Sequence, residues 1–227
     1  MLFEPILLKF DLGDTIVQLG GAFGNTLKIF FLTLLFSMPL GLLVTMGRMS
    51  KFKPVQLLTK LYISVMRGTP LMLQLLVVFF APYYLFGIKN SSDYRFWAVI
   101  IGFAVNYAAY FAEIYRGGIE AIPKGQYEAA QVLGFSKGQT FFKIILPQVF
   151  KIILPSVTNE IITLVKDTSL AFSIAYAEMF VVAKQMVASQ ATIAPLFVAG
   201  IFYYVMNLVV AFVMERIEKK MNYYGEG

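Results

Sequence analysis

The 227-residue sequence contains no cysteine and no histidine. Disulfides, cysteine-held metals and imidazole acid–base chemistry are thereby excluded. Charge is also scarce. Only 14% of residues are Asp, Glu, Lys or Arg, where a soluble domain carries about 25%. No Gly-x-x-x-x-Gly-Lys-Ser/Thr loop occurs, so no ATP site is expected; the Gly134-Phe135-Ser136-Lys137-Gly138 cluster lacks the spacing. Low-complexity segments, Ser-rich linkers and internal repeats are missing too. Met1-Leu2-Phe3-Glu4 has neither a basic region nor a small-residue cleavage site, so no removable signal is expected. No recognisable nucleophile–base pair is present, which leaves a membrane-embedded enzyme with little support.

What fills the chain is apolar. Hydrophobic residues make up 59%, in long runs, and about 20 helical residues cross the hydrocarbon core. Charge is absent from Ile29 to Gly47, from Gly68 to Ile88, from Phe96 to Ala112 and from Gln185 to Met214. A fifth, less regular run starts near Ile152 and carries Glu160, Lys166 and Asp167. It is expected as a helix from about Lys151 to Val165, a break near Asp167–Ser169, and a short helix to about Gln185. The expected layout is a single all-α membrane domain over 1–227 with five transmembrane helices. Their ranges are 20–47, 61–88, 96–116, 151–167 and 192–215. Basic residues set the orientation. Arg48, Lys51, Lys53 and Lys60 follow the first span. Arg116, Lys124, Lys137, Lys143 and Lys151 lie between the third and fourth, and Arg216, Lys219 and Lys220 follow the fifth. The N-terminus is therefore expected outside and the C-terminus inside. The acidic stretch Glu4 to Asp14 is expected on the outer surface.

Between the third and fourth spans, 126–146 reads as a cytoplasmic helical hairpin. Pro123-Lys124-Gly125 is a turn signal. Gln126 to Leu133 forms a short helix with Glu128 in its first turn, and Gly134 stands where a helix-ending glycine belongs. Ser136 and Gln139 have capping-box spacing, and Pro147 is expected to close the second helix. Two uses fit such a hairpin: lying on anionic lipid through Lys137, Lys143 and Lys151, or docking a soluble partner.

The segment Glu128-Ala129-Ala130, Gly134 and, after nine residues, Ile144-Ile145-Leu146-Pro147 resembles the EAA motif of ABC importer permeases. Arg67-Gly68-Thr69-Pro70 with Gln74, Ala112 to Ile119, Asn159-Glu160 and Lys166-Asp167-Thr168-Ser169 resemble the polar amino acid permeases of the histidine/glutamine/arginine type. The likeness runs from about Gly20 to Lys219. It implies a bacterial inner (plasma) membrane importer subunit without catalytic residues, metal or cofactor of its own. Two ABC ATPase subunits would bind ATP and Mg. A second permease would complete the path, as homodimer or paralogous heterodimer, and an extracellular solute-binding protein or domain would deliver a polar amino acid. Nucleic acid has no part. The hairpin would seat in the ATPase through Glu128, Ala129, Ala130, Gly134 and Phe135.

Intramembrane charge is costly and marks function by default. Ser156, Glu160, Thr163 and Asp167 recur at helical steps, with Asn159 and Lys166 as a neighbouring stripe. Gly102, Asn106, Tyr110, Glu113 and Gly117 share a face of the third span. The substrate-binding candidates are Asn106, Tyr110, Glu113, Asn159, Glu160, Thr163, Lys166 and Asp167. Structural alternatives stand beside them: Glu113 pairing with Arg116, and Lys166 with Asp167. A zwitterion needs both signs of partner, and Lys166, Asn159 and freed backbone N–H groups near the expected break suit a carboxylate. The acidic surplus favours a cationic or amide side chain. Pro70 should kink the second span. Pro39 and Pro82 read as ordinary bends, and Tyr83, Tyr84, Trp97, Tyr203 and Tyr204 as interfacial anchors. An ion-gradient-driven carrier using Glu160 and Asp167 is the alternative; it leaves the hairpin unexplained.

Overall fold

The computed structural model describes residues 11–89 and 91–221. The surface placement expected for Glu4 to Asp14 rests mainly on residues 1–10, outside the described residues. Helix α1 runs Leu12–Arg48. Asp11 caps it, its Oδ1 accepting from the N–H groups of Gly13 (2.8 Å) and Asp14 (3.2 Å). One face of α1 is small and often polar: Thr15, Leu19, Ala22, Thr26, Thr33, Ser37, Gly41 and Thr45 are buried. Small residues let membrane helices approach closely. Thr45 Oγ1 reaches the Ala112 carbonyl at 3.1 Å on the helix beside it.

Two helices, α2 (Lys53–Gly68) and α3 (Leu71–Phe86), follow and meet at a sharp bend at the expected Pro70. The chain turns through 111° between them. Pro70 lacks an amide hydrogen, and Thr69 before it is extended (φ −123°, ψ 149°). Gly87, at φ +68°, ends α3. Pro39 and Pro82 lie inside α1 and α3. The central helix is α4 (Ser92–Glu120), capped by Ser91 and buried on most of its surface. Its Phe103, Tyr107 and Phe111 anchor the main core.

Helix α5 spans Lys124–Val132 and ends at Gly134, where φ is +77°. The left-handed conformation there favours glycine. Helix α6, Lys137–Ile174, starts at a complete Ser136/Gln139 capping box. Pro147 does not close it. A π-helical turn over Thr140–Ile145 precedes the proline, and the Leu146 N–H bonds back to the Phe141 carbonyl. That widened turn absorbs the irregularity, and the helix continues.

The expected break near Asp167–Ser169 is absent as well. The α-helix tightens into a 3₁₀ segment over Thr168–Ile174. Thr168 and Ser169 hydroxyls donate to the Val165 and Lys166 carbonyls three residues back, both at 2.8 Å. The chain departs from helix only at Ala175, where φ is +53°. Helix α7, Met179–Gln190, is capped by buried Glu178, whose carboxylate accepts from the N–H groups of Phe180 and Val181 and from Tyr203 Oη at 2.8 Å. Tyr203 is thus an internal ligand of this cap rather than an interfacial anchor. Asn25 Nδ2 donates to the Ala177 carbonyl (2.8 Å) and Arg95 to that of Ala175 (3.3 Å). Helix α8, Ala194–Met221, follows. Among the described residues, four helices are long and apolar enough to cross a membrane, or five if the bent α2–α3 pair counts as one span.

Candidate functional site

Helix α6 buries Val157, Ile161, Leu164 and Val165 on one side. The other side is open: Ser156, Asn159, Thr163 and Lys166 are exposed, and Glu160 and Asp167 are half-buried. The four-three-four spacing therefore yields one accessible polar face. Asp167 is held from behind, its Oδ2 accepting from Tyr107 Oη at 2.7 Å. The Tyr107 ring lies between Phe103 and Phe111, 6.4 Å from each centroid.

Arg67 closes the constellation from α2. Its guanidinium lies over the Tyr110 ring, 5.3 Å from the centroid, and its charge acts on Glu160 and Glu113. Glu160 and Asp167 repel one another, while Lys166 attracts Asp167. The α6 face and its α2 neighbour thus carry one guanidinium, one ammonium and two carboxylates. Among the described residues no salt bridge joins Lys166 to Asp167. Lys166 instead lines a cleft of about 380 Å³ with Ser169, Phe180, Leu196 and Tyr203.

The remaining candidates lie elsewhere. Asn106 is 3% exposed, and its Nδ2 donates to the Met66 carbonyl (3.1 Å) and to Gln74 Oε1 (2.9 Å). Gln74 Nε2 donates to the same carbonyl at 3.0 Å and to Thr69 Oγ1 at 2.8 Å. Together they stitch the α2–α3 break. The freed backbone groups thus occur there, not near Asp167, and they are carbonyls already engaged. Glu113 pairs with Arg116 at 2.6 Å and with Arg48 at 3.8 Å, and Arg116 also pairs with Glu120 at 2.5 Å. This knot joins the ends of α1 and α4.

In the hairpin, Glu128, Ala129 and Gly134 are exposed. Ala130 is 1% exposed, and its carbonyl accepts from the Phe135 N–H at 3.0 Å. Val132 and Leu133 stand 88% and 73% exposed. They, Arg67, Tyr107 and Gln74 are absent from the sequence-derived candidates. Arg67 has a signal: it precedes Gly68-Thr69-Pro70, and a proline break there ends α2 opposite the middle of α4. Tyr107 reads as core in any pattern. Among the described residues, no group of three or more Asp, Glu, His or Cys is placed to hold a metal.

An all-helical bundle with four or five candidate spans among the described residues, an exposed polar helix face and an exposed helical hairpin defines a membrane translocation subunit. Residues 37–223 match the family described as the inner membrane component of binding-protein-dependent transport systems, and the chain belongs to that family. It is 38% identical to the arginine transport system permease protein ArtQ of Bacillus subtilis, over 94% of this chain and 98% of that protein. It is 36% identical to the L-cystine transport system permease protein TcyB of the same organism, over 91% and 87%. In three dimensions it is similar to a chain from the crystal structure of an amino acid ABC transporter with histidines. That match has a TM-score of 0.83 and 31% identity, over 93% of this chain and 99% of that one. The chain is thus an inner-membrane permease, and its ATPase is a separate polypeptide.

Proposed function

We propose that this chain is one half of the membrane pathway of an ATP-driven importer for a polar amino acid, cationic or amide-bearing. The observation that carries the reading is the accessible α6 face with Arg67 opposite it, since a zwitterion requires both charge signs in one water-lined opening. Glu160 and Asp167 would receive the ammonium or a basic side chain. Arg67, Asn159 and Lys166 would receive the carboxylate, with Thr163 and Tyr110 lining the passage. Asn106 and Glu113 would act as positioning residues, because their polar atoms are engaged by the α2–α3 break and by arginines. The transport roles of the two Bacillus subtilis relatives, arginine and L-cystine, support an amino acid cargo.

Five spans enclose a polar route only with a partner, so a second permease copy or paralogue completes the path. The N-terminus lies outside and the C-terminus inside. A pair of ATPases grips the two hairpins at Glu128, Ala129, Gly134 and Phe135, with Ala130 supporting from beneath. ATP and Mg belong to those ATPases. Their closure swings the bundles between inward- and outward-facing states, and an extracellular binding protein or domain delivers the solute.

The test is uptake into liposomes holding the permease with its cognate ATPase and binding protein, using labelled arginine, glutamine and cystine. ATP should drive uptake of one of them, and Glu160→Gln should reduce it by roughly tenfold to a hundredfold. Uptake that follows an ion gradient without ATP would replace this reading with a secondary carrier.

A further inference from the structure

Every charged residue between Asp14 and Asp93 is basic. Four of them, Arg48, Lys51, Lys53 and Lys60, gather where α1 ends and α2 begins. A cleft of about 320 Å³ opens there, lined by Arg48, Lys53, Gln56, Leu57 and Lys60. Lys53 Nζ donates to Gln56 Oε1 at 3.3 Å, and Arg48 Nε lies 3.8 Å from Glu113, whose other bonds go to Arg116. Neither α1 nor α2 supplies an acidic residue at this cleft. Positive charge is therefore in excess and faces outward.

The same short helix is apolar beside its cations. Leu57, Leu58 and Leu61 are 67%, 67% and 60% exposed, and Phe52 just before the helix is 64% exposed. Of α2, only Ile63 is buried, against Ala109 and Ala112 of α4. Basic residues flanked by bare leucines suit the level where phosphates give way to acyl chains. An aqueous acidic protein surface would satisfy the lysines and leave the leucines in water.

We propose that this cleft binds the phosphodiester headgroup of an anionic phospholipid of the inner leaflet, with its acyl chains laid along Leu57, Leu58 and Leu61. No residue of α6 or of the α5 hairpin lines this cleft. The inference rests on the inward orientation proposed above, which labelling from each side of the membrane reports independently of lipid binding.

The experiment places the full chain with its ATPase in phosphatidylcholine nanodiscs doped with phosphatidylglycerol. Retained lipid is then counted by native mass spectrometry. Phosphatidylglycerol should be kept over phosphatidylcholine by on the order of tenfold, falling as salt rises. The double variant Lys53→Gln/Lys60→Gln should lose that preference. Lys53→Arg/Lys60→Arg should keep it, as should Lys219→Gln/Lys220→Gln, a basic pair at the far end of α8. Equal retention of the two lipids by the unaltered protein overturns the proposal, and this arm decides the case should the glutamine variant fail to insert. A preference that survives the glutamine substitutions overturns it too. Loss of the ATPase with unchanged lipid retention assigns the cleft to the protein partner and is equally fatal.

Discussion

Gly41 shows how much rests on a missing side chain. A Cβ built there would lie 2.9 Å from Phe111 Cβ and 3.3 Å from the Ala108 carbonyl oxygen, neither of which is a flexible tip. Gly41→Val should therefore push α1 from α4 and destabilise the permease by about 1–3 kcal/mol. Thermal unfolding of the purified protein in detergent checks this, and an unchanged midpoint would count against the close approach. At this scale the sequence was readable where residues obey a period. Glu160, Thr163 and Asp167 fall on one face because a helix requires it. Arg67 carried only the indirect signal of the Gly68-Thr69-Pro70 that follows it, and Tyr107 carried none, because each joins the constellation through tertiary contact: one through a proline turn, the other through a hydroxyl at the edge of an aromatic ladder.

At the scale of elements, the α5 hairpin separates local signals from longer-range ones. The Ser136/Gln139 capping box and the positive φ of Gly134 follow from side-chain and backbone chemistry within a few residues. The π turn before Pro147 does not: proline's missing donor permits either an ending or a bulge, and the packing of buried Thr140 and Ile145 accompanies the bulge. The same holds in α6, where hydroxyl bonds tighten Thr168–Ile174 into 3₁₀ helix instead of breaking it. The exposed Val132 and Leu133 give the hairpin an apolar surface. Leu133→Ser should weaken ATPase association by about tenfold or more, the scale of one buried leucine. Co-purification against increasing detergent wash measures it. Full association by Leu133→Ser and also by Gly134→Trp would remove the docking role from this segment.

For the whole molecule, the absence of cysteine becomes an advantage. Ser50→Cys, at the turn after α1, introduces a single thiol and should react with a membrane-impermeant maleimide only in inside-out vesicles. Labelling from the outer side would reverse the orientation and with it the inner-leaflet assignment. Charge-free run length marked long apolar helices, since bilayer thickness constrains it directly. It did not convey the division at Thr69–Pro70, because hydropathy is blind to direction. Helix α4 meets α1 through Gly41 and Thr45, and the α2–α3 turn through Asn106. Its Phe103, Tyr107 and Phe111 are buried in the main core. Ser156, Asn159 and Thr163 of α6, by contrast, are exposed. They can be exchanged without unsettling the bundle. On the cargo contacts proposed above, retuning such a protein to a new solute would be a matter of repainting one stripe while the frame stays as built.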